Sequence, residues 1–365
     1  FNVKDVFIIA EAGVNHNGDY KLAFALIDAA VLAGADAIKF QTFLAENVVT
    51  KKAKKAAYQE LTTSPSESQF DMIKKLELPY EWHFDLLKYC KKKGIEFLST
   101  AFDLDSLNFL VNDIKIKTLK IASGEITNGP FLLACAQKQC NLIVSTGMAT
   151  LGEIEKALSI IAFGFLNETS SLTPHSTLEF QKAYCSSRGK QLLKERVTLL
   201  HCTTEYPTPP SNVNLGAMKS IHSAFGIDVG YSDHSKGITV PIVATTLGAT
   251  IIEKHFTIDR SLPGPDHKAS LEPDELKDMI KGVRMVKEIM GDGLKIPMPS
   301  EVENKSVARK SLIAATDISI GDTFTSENLT AKRPGTGISP MLYWNYLGKK
   351  SKKNYELNDL IDDER

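Results

Sequence analysis

The sequence predicts a (β/α)8 barrel followed by a small C-terminal module. Three observations carry that reading. Eight short apolar, β-branched runs each finish in a polar cluster. Stretches with apolar residues three or four apart separate them, which is the strand–helix alternation of a parallel sheet. The first run continues into "EAGVNHNGD", with neither GxGxxG nor GxxxxGK[ST]. An open doubly wound sheet, the alternative, would normally place a glycine-rich phosphate turn there.

The runs are, in order, "VFIIAEAG" (6–13), "DAIKFQT" (36–42), "IEFLSTAF" (95–102), "TLKIASGE" (118–125), "LIVSTGM" (142–148), "VTLLHCTTEYP" (197–207), "DVGYSDHS" (228–235) and "ATIIEKHFT" (249–257). Each is continuously apolar before its polar end, as expected of strands covered on both faces. Helical spacing is clear in 20–34 and 153–161, and again in 273–290, where Pro273 suits a first turn. Two connections, 44–94 and 162–196, are polar and rich in turn formers, so they read as long loops of the lid or binding type, the second as a surface insertion. The lysine run 51–55 reads as a solvated face. Residues 1–290 therefore form the barrel domain, 291–305 a Gly/Pro linker, and 306–365 a separate module too small for a large core.

With 43% hydrophobic and 24% charged residues and a net charge of −1, the chain reads as a soluble globular protein without a polyanion-binding face. Five cysteines without a CxxC argue against a zinc ribbon or a disulfide scaffold and for a reducing compartment, hence the cytoplasm. No apolar run reaches the length of a membrane span.

A barrel of this class carries its chemistry at the C-terminal ends of its strands. Those ends offer Glu11, Asn15 and His16; Lys39 and Gln41; Ser99 and Thr100; Lys120, Ser123 and Glu125; Ser145 and Thr146; His201, Thr203, Thr204 and Tyr206; Ser232, Asp233 and His234; and Glu253, Lys254 and His255. Lys39 and Lys120 fall inside apolar runs, and a buried ammonium needs a partner. A bound phosphate dianion would be one, with serine and threonine hydroxyls completing its hydrogen bonds; a structural pairing with Glu125 or Glu253 is the other. His234 and His255 end consecutive strands, so both can reach one divalent ion, with acidic Asp266 following; each alone would more often be a core histidine. His201 is read as such a core histidine.

These strand ends, with "RSLPGPDH" and "KRPGTGISP", resemble the sialic acid (N-acetylneuraminate) synthase family over nearly the whole chain. The resemblance implies that the last module is an antifreeze-like (SAF), β-rich domain. It implies condensation of phosphoenolpyruvate (PEP) with an N-acylated mannose-type sugar to a nine-carbon 2-keto acid and phosphate. It further implies a divalent cofactor, Mn2+ before Mg2+ or Co2+, and a homodimer in which the antifreeze-like domain caps the partner's barrel. By position, His234 and His255 match the metal ligands. Lys39, Thr100, Lys120, Ser123, Thr204 and Ser232 match the PEP site, although Thr204 stands where better-known members carry asparagine. Glu11, Gln41, Tyr206 and Asp266 match groups near the sugar and the metal-bound water, and Arg333 matches an arginine that reaches the sugar's N-acyl group across the dimer. Glu11, Lys120 and Asp266 are the expected catalytic groups. "EAGVNHNGD" with "TTEYPTP" leans toward the legionaminate-type branch, whose sugar carries a second N-acyl group at C4 and lacks the C6 hydroxyl. The alternatives are another PEP-dependent aldol-type barrel, such as a 3-deoxy-octulosonate phosphate synthase, and a non-catalytic carbohydrate-binding protein.

Overall fold

The computed structural model describes residues 5–53, 55, 67–167 and 174–362. Part of the 51–55 lysine run and part of each long connection lie outside them.

The chain divides into two units, 1–292 and 293–365. In the first, eight parallel strands close on themselves in sequence order: β1 (Phe7–Gly13), β2 (Ala37–Thr42), β3 (Glu96–Ala101), β4 (Thr118–Ile121), β5 (Asn141–Ser145), β6 (Val197–His201), β7 (Asp228–Asp233) and β8 (Ile251–His255). β8 pairs with β1, with Phe7 beside Ile251 and Glu11 beside His255. The predicted fold class is the observed one.

Side chains alternate between two environments, as strand geometry requires. One parity faces the helices: Ile8, Ile38, Phe97, Leu119, Val144, Leu199, Val229 and Ile252 belong to the large core between barrel and helices. The other parity faces the lumen. Its lower layer is apolar, with Ile9, Ala37, Leu98, Ile143, Leu200 and Ile251 packed together and Phe7 against them. Two residues further along, the same parity places Glu11, Lys39, Thr100, Ser145 and Glu253. The lumen is thus plugged below and polar above.

Gly230 shows how tight the plug is. A Cβ there would lie 2.5 Å from the Ile251 carbonyl oxygen and 2.7 Å from Leu200 Cδ2, so no side chain fits on β7 at that level.

Both long connections contain more helix than the sequence suggested. The second follows the helix Leu151–Leu166, which runs beyond the expected 161. The helices Thr177–Cys185 and Ser187–Arg196 then bury Ala183, Leu192 and Leu193, and Phe180 meets Phe163 edge-on at 5.3 Å. Its described residues therefore join the helical layer rather than forming a surface loop. Their few apolar residues recur at helical spacing, but the polar ones between them obscure the period. The first connection holds Ala45–Val48, Gln69–Lys75 and Tyr80–Lys93.

In the second unit the helix Pro299–Ala308 occupies much of the expected 291–305 linker. Beyond it lie a two-stranded antiparallel sheet, β9 (Ser311–Ala314) with β10 (Leu329–Lys332), and a small core of Leu312, Ala314, Ile318, Phe324, Leu329, Tyr355 and Ile361.

Gly230→Ala tests the lumen packing. Overpacking against a backbone oxygen should cost about 1–3 kcal/mol, read as a lower urea midpoint; an unchanged midpoint would show that the plug has room.

Candidate active site

The strand ends converge on a cavity of about 300 Å3. Glu11, Lys39, Gln41, Thr100, Lys120, Ser123, Thr204, Tyr206, Ser232, His234, His255 and Asp266 all line it. Every sequence-predicted site residue of the barrel unit is therefore brought together. Arg333 belongs to the second unit, where it is exposed and its Nε donates to the Ala308 carbonyl at 3.1 Å.

The floor of the cavity is a charge network. Lys39 Nζ lies 2.6 Å from Glu11 Oε2 and 3.5 Å from Glu253 Oε2, and it donates to Thr100 Oγ1 at 3.1 Å. Lys120 Nζ lies 3.5 Å from Glu253 Oε1 and donates to Ser145 Oγ at 2.7 Å. Ser232 Oγ donates to Glu253 Oε1 at 2.8 Å. Both lysines thus have carboxylate partners within the lumen, chiefly Glu11 and Glu253. Glu125, also considered as a partner, accepts from Asn128 instead. Of the two carboxylates the sequence offered as lysine partners, the structure thus selects Glu253, and Ser145, which the sequence offered only as a strand-end hydroxyl, joins the network through Lys120.

Burial sets the protonation tendencies here, modified by neighbours. Burial pushes Glu11 up to about 7, with the Glu253 charge adding to the rise and Lys39 opposing it. Burial acts upward on Glu253 too, but Lys120 and Lys39 outweigh it and hold that carboxyl at about 2. Burial lowers Lys120, whereas for Lys39 the two carboxylates overcome burial and raise it. Asp266 is raised to about 6 by burial.

At the β7–β8 rim the two imidazole rings lie 5.6 Å apart, and the Tyr206 ring packs 4.1 Å from that of His234, tilted by 37°. His234 Nδ1 is 2.7 Å from the Thr203 carbonyl. A carbonyl only accepts, so Nδ1 carries the proton and Nε2 keeps its lone pair. His255 Nδ1 is buried without a hydrogen-bond partner among the described residues. Burial holds His234 near 4 and His255 well below its usual value, so both rings are neutral. Two neutral imidazoles, one with a buried unsatisfied nitrogen, suit a divalent cation. Among the described residues no three His, Cys, Asp or Glu side chains form a ready cage, so water or substrate would complete the coordination, as at open catalytic sites.

Next to the lysines, Ser123 and Thr204 form a hydroxyl cradle around Gly147. Gly147 N donates to Ser123 Oγ at 3.1 Å. A Cβ on Gly147 would fall 2.6 Å from Thr204 Oγ1 and 2.7 Å from Ser123 Oγ, so only glycine lets both hydroxyls approach.

Other polar strand-end residues are structural. Asp233 and Lys254 face the helical layer, not the lumen, as a fully buried ion pair at 2.5 Å; Lys254 also donates to the Ser235 carbonyl. Thr42 Oγ1 lies 2.7 Å from both Ser99 Oγ and His83 Nε2. Asn15 donates to the Phe256 carbonyl at 2.8 Å and to Ser270 Oγ at 2.9 Å, bracing the segment that carries Asp266. His201 Nε2 bonds to the Val213 carbonyl at 3.0 Å, consistent with its expected packing role.

Comparison with known proteins agrees with this geometry. A sequence model described as the NeuB family matches residues 26–295, and one described as the SAF domain matches 309–364. The chain is 49% identical to the N,N'-diacetyllegionaminic acid synthase of Campylobacter jejuni, covering 98% of this chain and 99% of that protein. It is 43% identical to the protein of the same name from Legionella pneumophila, over 95% and 91%. Among solved structures, the N-acetylneuraminic acid (sialic acid) synthetase of Leptospira borgpetersenii matches with a TM-score of 0.65 and 36% identity, covering 82% of this chain and 90% of that one.

Lys254→Met should destabilise the barrel by about 3–5 kcal/mol, because it strands the Asp233 carboxylate in the core. Lys254→Met with Asp233→Leu should recover part of that loss in urea unfolding. Equal stabilities of wild type and the single variant would mean the pair contributes nothing.

Proposed function

The chain belongs to the NeuB family, and from that premise we propose that it is a nonulosonate synthase of the legionaminate type. It condenses PEP and water with 2,4-diacetamido-2,4,6-trideoxymannose, giving the nine-carbon keto acid N,N'-diacetyllegionaminate and phosphate. One observation carries the reading: the cavity joins two buried lysines and a hydroxyl cradle to two neutral imidazoles.

Each group has a task its chemistry suits. Lys39 and Lys120 face the phosphate and carboxylate of PEP, with Thr100, Ser123, Thr204 and Ser232 supplying hydrogen bonds. Anion binding would draw the ammonium groups partly away from Glu11 and Glu253, so substrate replaces contacts that already exist. His234 and His255 would hold a divalent cation such as Mn2+, which would supply Lewis-acid polarisation of the open-chain sugar aldehyde. The enol carbon of PEP forms the new C–C bond at that aldehyde carbon, and positive charge develops at C2 of PEP. Water adds at C2, and the tetrahedral adduct collapses by breaking the C–O bond to phosphate. The lysines stabilise the charge on the departing phosphate. Glu11, raised to about 7 by burial, is suited to exchange a proton with the reacting oxygen near neutral pH. Gln41, Tyr206 and Asp266 line the sugar side. Arg333 would reach the N-acyl group from a partner subunit in a homodimer. We place the enzyme in the cytoplasm, in keeping with its five free cysteines.

Phosphate release from PEP should require both the diacetamido sugar and a divalent ion. No release with this sugar or with N-acetylmannosamine would sink the reading. Oxygen-18 in the bridging position of PEP should leave with phosphate; label retained in the keto acid would refute C–O cleavage. By calorimetry, His234→Ala should weaken Mn2+ binding by more than the roughly 10–100-fold typical of losing an outer-sphere partner. Unchanged binding removes His234 from the metal site. Arg333→Ala should raise the sugar KM about tenfold or more while leaving the PEP KM alone; the reverse pattern removes Arg333 from the sugar site.

A further inference from the structure

The two sides of the cavity differ in chemistry. Lys120, Ser123, Ser145, Thr204 and Ser232 line one arc. Over β1–β3, whose strand ends still bring Glu11, Lys39, Gln41 and Thr100 into the cavity, the other arc adds an apolar wall: Val14, Phe43, Met72 and Leu76 form a buried cluster against which Ile73 and Phe102 pack, and all six line the cavity. This wall is built in. Phe43 and Phe102 meet edge-on at 6.1 Å. The helix Gln69–Lys75 supplies Met72 and Ile73. It is capped by Ser68, whose hydroxyl accepts from Asp71 N at 3.1 Å. Lys75 reaches back to Glu67 at 2.6 Å, and Glu77, just beyond the helix, accepts from Ala45 N at 2.6 Å.

Apart from the weakly accepting Met72 thioether, no side chain of the wall can hydrogen-bond. A sugar hydroxyl pressed against it would lose its water without replacement, whereas a deoxy carbon or methyl group would gain contact. We propose that this wall reads the deoxy, methyl-terminated end of the acceptor sugar, with Ile73 as its discriminating residue. Ile73 is chosen because it is only partly buried, so its substitution spares the core. The inference rests on the synthase reading and adds the part of the site that selects among acceptor sugars.

The test compares two acceptors differing at one position, 2,4-diacetamido-2,4,6-trideoxymannose and its 6-hydroxylated counterpart. Wild type, Ile73→Val and Ile73→Thr are each assayed; the two variants have nearly the same shape and differ in polarity. Wild type should favour the deoxy sugar in kcat/KM by roughly 10–200-fold, the range for one group in an apolar pocket. Ile73→Val should keep that ratio within about threefold, and Ile73→Thr should reduce it at least about fivefold, with the PEP KM unchanged in both. Equal ratios in the Val and Thr variants would overturn the proposal, as would equal use of the two sugars by wild type. A Thr variant slowed alike on both sugars has the unchanged ratio and counts against it too. If wild type releases phosphate with neither sugar, the synthase reading itself fails and takes this proposal with it.

Discussion

The closing of β8 onto β1 is the constraint on which the site depends. It sets Glu11 level with His255 on one side and with Lys39 on the other. Carboxylate, ammonium and imidazole then share a lumen that is plugged from below. Each ion there loses most of its hydration, so each must find compensation inside the ring. Lys39, Lys120, Glu11 and Glu253 provide it for one another. The result is a set of charges fixed before any ligand arrives, which is what electrostatic stabilisation of a reaction requires.

Strand alternation separates polar residues that neighbour each other in sequence. Lys39 enters the lumen, but Lys254, which also lies in an apolar strand, faces the helices and pairs with Asp233. Thr100 bonds Lys39, while Ser99 joins Thr42 and His83 behind the barrel wall. Ser232 reaches Glu253, and its neighbour Asp233 serves only the scaffold. One residue along a strand decides between the reactive layer and the packing layer, because a slip of one would reverse every side chain.

Chemistry also varies around the rim. The arc with Lys120, Ser123 and Ser232 suits an anion, the β7–β8 edge a cation, and the arc above β1–β3 an apolar group. The first two are built largely from strand ends. Much of the third comes from a helix in a connection, where barrels of this architecture vary most freely while keeping their strands. That apolar arc can therefore change without disturbing the charge network.

Much of this was legible in the sequence. Eight apolar runs with polar ends specify a closed parallel barrel, since periodicity is a local property of the chain. For the same reason Lys39, Lys120, His234 and His255 stood out as residues out of place in such runs. The partners of those residues were legible only as alternatives, Glu253 beside Glu125, or not at all. Glu253 rather than Glu125 meets Lys120, Asp233 is claimed by Lys254, and Met72 and Ile73 leave a polar connection to wall the cavity. Each of these depends on which distant strands lie side by side and at what register. By itself, then, the sequence determined which residues carry chemistry, and the tertiary structure alone decided what each of them faces. Side-chain type is local information, whereas the environment that sets charge, pairing and solvation is assembled only when the ring closes.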